Sequence, residues 1–194
     1  MSRLAHRTSA GWMYFVTTKA FQSASLFQAH DVATIVVGKL LEYRDKENYL
    51  LHEFVVMPNH LHILITPSDT ATLERCMQLI KGGSSYEIHR VRGGRMPVWQ
   101  SGFHDARVKD WNDYRIKVDY IPFNPVTAKL VAHPEEWPFG SMGGQFAVDP
   151  IPQGLKPILA AVNVGPKGPT PKTPDQLPGV KPRPPKEFGK RGGV

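Results

Sequence analysis

The sequence predicts an α+β domain: a ferredoxin-like split βαβ fold with a four-to-five-stranded, mainly antiparallel sheet, helices on one face, and a disordered C-terminal tail rich in Pro, Gly and Lys. Three observations lead there. Apolar residues switch between strand-like and helix-like periods in the order β-α-β-β-α-β-α. The two central strand-like runs are separated only by Pro58-Asn59, so the middle of the sheet is a hairpin. Composition then changes near residue 150, which confines the domain to residues 1–150 and leaves 151–194 as tail.

The elements follow in order. Trp12–Thr18 is aromatic and β-branched and reads as the first strand. A helix is expected from about Ser25, since Leu26, Phe27, Val32, Ile35, Val36, Leu40 and Leu41 recur at helical intervals. Arg44–Asn48 is a polar turn, and Tyr49–Met57 and His60–Thr66 are the hairpin strands. Thr70 or Thr72 caps a second helix, Leu73 to Arg90, with Gly82-Gly83 as its weak point. Val98–Val108 is read as the fourth strand. A last helix begins near Asp110–Trp111, and Pro122 and Pro125 should end or kink it. Trp137 and Phe139 should pack back on the domain.

Composition excludes several classes. Cys76 is the only cysteine, so there is no intrachain disulfide and no cysteine-based zinc site; within a helical apolar pattern it reads as an inert buried thiol. No apolar run approaches the ~18 residues of a membrane helix, and Trp12–Val16 is too short for a signal-peptide core. The expectation is a cytoplasmic protein. The net charge of +7 suggests a polyanionic partner. That charge is unevenly placed: residues 151–194 carry eight Lys or Arg against two acids, a net +6, which leaves +1 for residues 1–150. Ten Pro and seven Gly among those 44 residues predict a flexible tail.

Two features carry chemistry. In a strand, positions i and i+2 share a face, so His60 and His62 project together while Leu61, Ile63 and Ile65 face the core. Paired imidazoles can bind one divalent metal, or they are two surface histidines on an open sheet. On a helix, Tyr120 and Asn124 share a face at i, i+4; Tyr114 competes for any tyrosine role. Lys81, Arg90, Arg92, Arg95 and Arg107 are candidate phosphate contacts, best of all in the loop Arg92-Gly93-Gly94-Arg95, where glycines admit close backbone approach. Trp99 either stacks on a base or belongs to the core.

Taken together these residues resemble a known family. The run from Val55 to Ile65, centred on Met57-Pro58-Asn59-His60-Leu61-His62, resembles the HUH motif (His, hydrophobic, His) of single-tyrosine transposases. Tyr14-Phe15-Val16-Thr17 resembles that family's first strand, and Val98-Trp99-Gln100-Ser101-Gly102-Phe103 its fourth. Tyr120-Ile121-Pro122-Phe123-Asn124-Pro125-Val126 resembles its catalytic segment, and Pro134-Glu135-Glu136-Trp137-Pro138 the closing element. Within the family the pattern is most similar to the REP-associated tyrosine transposases, over about residues 10–142.

The resemblance implies a metal-dependent enzyme that cleaves and rejoins single-stranded DNA at imperfect, REP-like palindromes folded as hairpins. His60, His62 and Asn124 would hold Mg²⁺ or Mn²⁺, and Tyr120 would attack the phosphodiester to give a 5′-phosphotyrosine and a free 3′-OH. The phosphodiester energy is retained in that bond, so no nucleotide cofactor is required. Family members occur as monomers or homodimers, and both remain open here; bound to DNA, the protein would be associated with the bacterial nucleoid. Pro122 departs from a regular helix between Tyr120 and Asn124, so a non-cleaving hairpin-binding protein on the same fold is the alternative. A metal-dependent hydrolase of the amidohydrolase type is excluded, because that chemistry requires a barrel longer than this chain.

Overall fold

The computed structural model of the protein describes residues 11–151. Strands and helices follow as β1 (Tyr14–Lys19), α1 (His30–Asp45), β2 (Tyr49–Met57), β3 (His60–Pro67), α2 (Leu73–Arg92), β4 (His104–Arg107) and α3 (Trp111–Thr127). The sheet order is β2-β3-β1-β4, and every neighbouring pair is antiparallel. β1 and β2 thus run parallel with β3 between them, and β3 and β4 run parallel with β1 between them. These are the two split βαβ units the sequence predicts, in a sheet of four strands.

The sheet buries both faces. Tyr14, Val16, Phe54, Val56, Leu61, Ile63 and Ile65 meet α1 and α2 in the larger apolar cluster. Met13, Val55, Met57, Leu64 and Val108 face Tyr114 and Ile121 of α3 in a second one. The expectation of helices on one face therefore holds for α1 and α2 and is corrected for α3. Alternating strand residues offer an apolar set on each side, and α3 covers the second.

Four boundaries differ from expectation. Leu26 and Phe27 lie in a 3₁₀ turn ahead of α1, tied down by Phe27 N–H donating to the Pro58 carbonyl at 2.8 Å; their apolar spacing reflects core packing of Phe27, not helix. The expected fourth strand is interrupted. Trp99 makes a single bridge to Ala20, Gly102 at φ 71° leads the chain away, and pairing resumes only at His104. β1 is shifted, to Tyr14–Lys19.

The fourth difference concerns α3, which passes through Pro122 and Pro125 without ending. Each proline removes one N–H, orphaning the carbonyls of Val118 and Ile121. Asn124 covers part of that loss: its side-chain amide donates to the Ile121 carbonyl at 3.2 Å and to the Tyr120 carbonyl at 2.8 Å. Both proline rings are buried, so packing holds the helical path that the sequence alone argues against.

The chain after α3 returns as expected. Trp137 donates its indole N–H to the Val56 carbonyl at 3.0 Å. Residues 139–149 then run along β2, the outer strand. Val56 N–H donates to the Phe139 carbonyl, Phe54 N–H to Ser141 Oγ, and Leu51 exchanges bonds with Asp149.

Candidate active site

The hairpin turn and strand register place His60 and His62. His60 opens β3 opposite Met57 and Lys19, and His62 lies opposite Val55 and Thr17. Both therefore point to the α3 face of the sheet. Their rings meet edge to face with centroids 4.7 Å apart, close enough for both to reach one ion.

β1 supplies the floor. Phe15, two residues from Thr17 on the same face, stacks on His62 at 5.4 Å and 19°. Across this ring comes α3: Tyr120 lies edge-on to Phe15 at 6.0 Å and to His62 at 5.4 Å. One turn earlier, Lys117 carries its ammonium 5.2 Å from the Phe15 centroid. A phenol, an imidazole and an ammonium thus gather round one phenylalanine, and the second imidazole, His60, lies against the first. Tyr120 is 42% exposed, whereas Tyr114 is 7% exposed within the second apolar cluster. Accessibility separates the two tyrosines in favour of Tyr120.

Electrostatics set the histidine charge. Burial, with a smaller push from the Lys19 ammonium, lowers the His60 pKa from 6.5 to about 4. Burial, then the neighbouring His60, lowers that of His62 to about 3. Both imidazoles are neutral at pH 7, the form that ligates a metal. Each has its Nδ1 engaged, His60 with Asn59 Oδ1 at 2.6 Å and His62 with Thr17 Oγ1 at 2.8 Å, which leaves Nε2 as the uncommitted nitrogen of each ring. Among the described residues no three His, Cys, Asp or Glu side chains converge, so a third protein ligand would be an amide or hydroxyl oxygen. Asn124 fits that chemistry: its nitrogen is committed to the helix backbone and its Oδ1 is the end left over.

The expected phosphate contacts fare unequally. Lys81 turns inward, donating to the Gln100 and Gly102 carbonyls at 2.7 and 2.6 Å. Arg90 pairs with Glu87 of its own helix, and Arg92, the last residue of α2, pairs with Asp31 of α1. Arg107 lies over the Trp12 ring at 3.2 Å, and Arg95 is exposed in the glycine loop. None of these cations lines the histidine site, whereas Lys19 and Lys117 do, the latter also within 3.8 Å of the Asp113 carboxylate. Trp99 is buried, packs on Phe27 and donates to Ser84 Oγ, so it belongs to the core. Cys76 is buried, and its thiol pKa is pushed up to about 12 by that burial.

Sequence reasoning missed Phe15, Thr17, Lys19, Asn59 and Lys117. Alternation in β1 puts Phe15, Thr17 and Lys19 on one face, but which face they share with the histidines follows only from the register.

Known proteins resemble this chain over much of its length. A REP-associated tyrosine transposase of Escherichia coli (strain K12) is 26% identical over 148 residues, 76% of this chain and 82% of that protein. A solved structure of a REP-associated tyrosine transposase bound to a REP hairpin superposes with a TM-score of 0.64 at 23% identity, covering 89% of this chain and 99% of that one. The profile of the IS200-like transposases matches residues 14–121, from the first residue of β1 to just past Tyr120. With more than half its length matched, this chain belongs to the family of IS200-like transposases.

Proposed function

We propose that the protein is a single-tyrosine DNA strand transferase that acts on single-stranded DNA folded as an imperfect, REP-like palindrome. The observation that carries this is the packing of Tyr120 and His62 on Phe15, with His60 edge-on to His62. The solved structure of a REP-associated tyrosine transposase bound to a REP hairpin supports the choice of DNA.

His60 and His62, with the Asn124 amide oxygen, would hold Mg²⁺ or Mn²⁺. A bound divalent ion would polarise the scissile phosphate and offset its developing charge. The remaining chemistry belongs to the chain. The Tyr120 oxygen attacks phosphorus; the bond from phosphorus to the 3′-oxygen breaks, and the phenol's proton is passed, net, to that oxygen. A 5′-phosphotyrosine and a 3′-OH result, and attack by a 3′-OH reverses the step and joins strands. Phe15 fixes the angle of the phenol, and α3 carries it on a helix packed on the sheet. Lys19 and Lys117 offer ammonium groups to the phosphates on either side.

The test uses hairpin oligonucleotides taken from inverted repeats flanking the gene, with Mn²⁺. Native protein and Tyr114→Phe should give a covalent adduct stable to denaturation, and Tyr120→Phe none. An adduct that persists in Tyr120→Phe would remove Tyr120 as nucleophile. One observation favours a second reading, a hairpin-binding protein without cleavage: Asn124 spends its amide nitrogen on the proline-interrupted helix. Tight hairpin binding with no adduct at any metal concentration would establish it.

A further inference from the structure

We propose that Thr17 and Asn59 are positioning residues that hold His62 and His60 in the tautomer with a bare Nε2, so that the two rings present a ready pair of ligand nitrogens. The inference rests on the metal-binding reading above.

The two supports come from different elements and act alike. Asn59 Oδ1 lies 2.6 Å from His60 Nδ1. A carbonyl-type oxygen only accepts, so Nδ1 carries the proton and Nε2 is left with its lone pair. Thr17 Oγ1 lies 2.8 Å from His62 Nδ1. A hydroxyl can donate or accept. In the proposed arrangement it accepts, since a donated bond would put the proton on Nε2 and leave no lone pair there for an ion. Metal-ligating histidines regularly use the second ring nitrogen this way, and the partner fixes both tautomer and ring orientation.

The surroundings make these bonds matter. His62 is 5% exposed, so water cannot readily replace a lost partner. The Phe15 ring stacked on one side and the His60 ring edge-on at the other restrict its rotation. Thr17 is placed by register, directly opposite His62 in the antiparallel pair, where side chains of facing residues touch. Asn59 is placed by the hairpin turn, whose own carbonyl is fixed by Ala20 N–H at 2.9 Å. The sheet and its turn thus set the two nitrogens before any ion arrives.

The experiment titrates Mn²⁺ alone into metal-stripped full-length protein by calorimetry and records histidine ¹⁵N spectra before addition. Thr17→Val keeps the side-chain shape and the β preference of the site; Thr17→Ser keeps the hydroxyl. Native protein and Thr17→Ser should bind Mn²⁺ alike and show His62 with a protonated Nδ1. Thr17→Val, melting at the native temperature, should bind about 10–100-fold more weakly and show the proton moved to Nε2. Asn59→Ala should do the same at His60. Native-like affinity in Thr17→Val, or a native His62 protonated on Nε2, overturns the proposal while leaving the metal reading intact. If native protein takes up no Mn²⁺ that His60→Ala and His62→Ala remove, both fall together.

Discussion

His62 shows how much a single buried ring constrains the molecule. Its pKa near 3 and that of His60 near 4 lie below the 6.5 of an unfolded chain, so the unfolded state binds more protons as pH falls from about 6.5. Stability must then fall with pH through that window and level off once the folded rings themselves titrate. At pH 5 the loss is about 2 kcal/mol per ring relative to pH 7. Urea denaturation in EDTA at the two pH values should show it, and the double variant His60→Asn, His62→Asn should show a smaller drop. The histidines were legible in the sequence, because alternation in a strand needs no knowledge of the rest of the fold. Phe15 and Thr17 were not, because they join the site through the pairing of β1 with β3, a contact 45 residues apart in the case of Thr17 and His62. The partners of Lys81 and Arg92 were not legible for a related reason, since they come from other segments of the chain. Residue type cannot distinguish a solvated cation from one already bound to a carbonyl or a carboxylate.

At the scale of elements, the adjacent glycines of α2 were read as one weak point, and packing separates them. A methyl group on Gly82 would meet nothing within 4 Å. One on Gly83 would collide with the phenol end of Tyr43, where α1 crosses α2. Gly82→Ala should therefore stabilise the protein by up to about 1 kcal/mol through helix propensity. Gly83→Ala should forfeit that gain by displacing Tyr43. Thermal unfolding of the two variants side by side measures the difference, and equal gains would show that Tyr43 moves freely. The strands Tyr49–Met57 and His60–Pro67 and the start of α3 were readable from local signals. Asp110 caps α3, its carboxylate accepting from Asp113 N–H at 2.9 Å. The course of α3 through Pro122 and Pro125 was not readable, since burial of the prolines and the Asn124 amide outweigh a strong local rule. The fourth strand was expected from Val98, and its interruption before His104 was not readable, since Lys81, a residue of α2, binds the Gln100 and Gly102 carbonyls of the intervening loop.

For the whole molecule, charge and chemistry occupy different parts of the chain. Residues 1–150 carry +1 and host the site, whereas residues 151–194 carry +6, all of it on residues beyond Ile151 that lie outside the described residues. A chain ending at Ile151 keeps Asp149, which binds Leu51 of β2, and should retain the native melting temperature. It should also keep hairpin-specific cleavage. Its affinity for unstructured single strands should become less salt-sensitive, with the slope of log K against log salt reduced by up to about 5 if all eight tail cations contact phosphate. Binding measured from 50 to 300 mM salt, on hairpin and unstructured oligonucleotides, tests the division. Loss of specific cleavage in the truncated, folded chain would place part of the DNA grip in the tail. The fold class was legible because each half of the split βαβ unit has its own period. The placement of α3 on the opposite face was not, because a helix's apolar stripe does not say which side of a sheet it will meet.

The strap formed by residues 139–149 has a consequence for biosynthesis. β2 is an outer strand, and its free backbone groups are satisfied by Phe139, Ser141 and Asp149, some 80 residues after β2 itself has been made. At about 5–20 residues per second, the β2–β3 hairpin emerges from the ribosome roughly 4–16 s before its cover. During that interval a hydrophobic strand, Tyr49–Met57, is open on one side to any neighbouring nascent chain. Stalling in the last turns of α3 after Tyr120, or a stop codon between Tyr120 and Phe139, would prolong that exposure indefinitely, so such products should be found in inclusion bodies although His60, His62 and Tyr120 have already been translated.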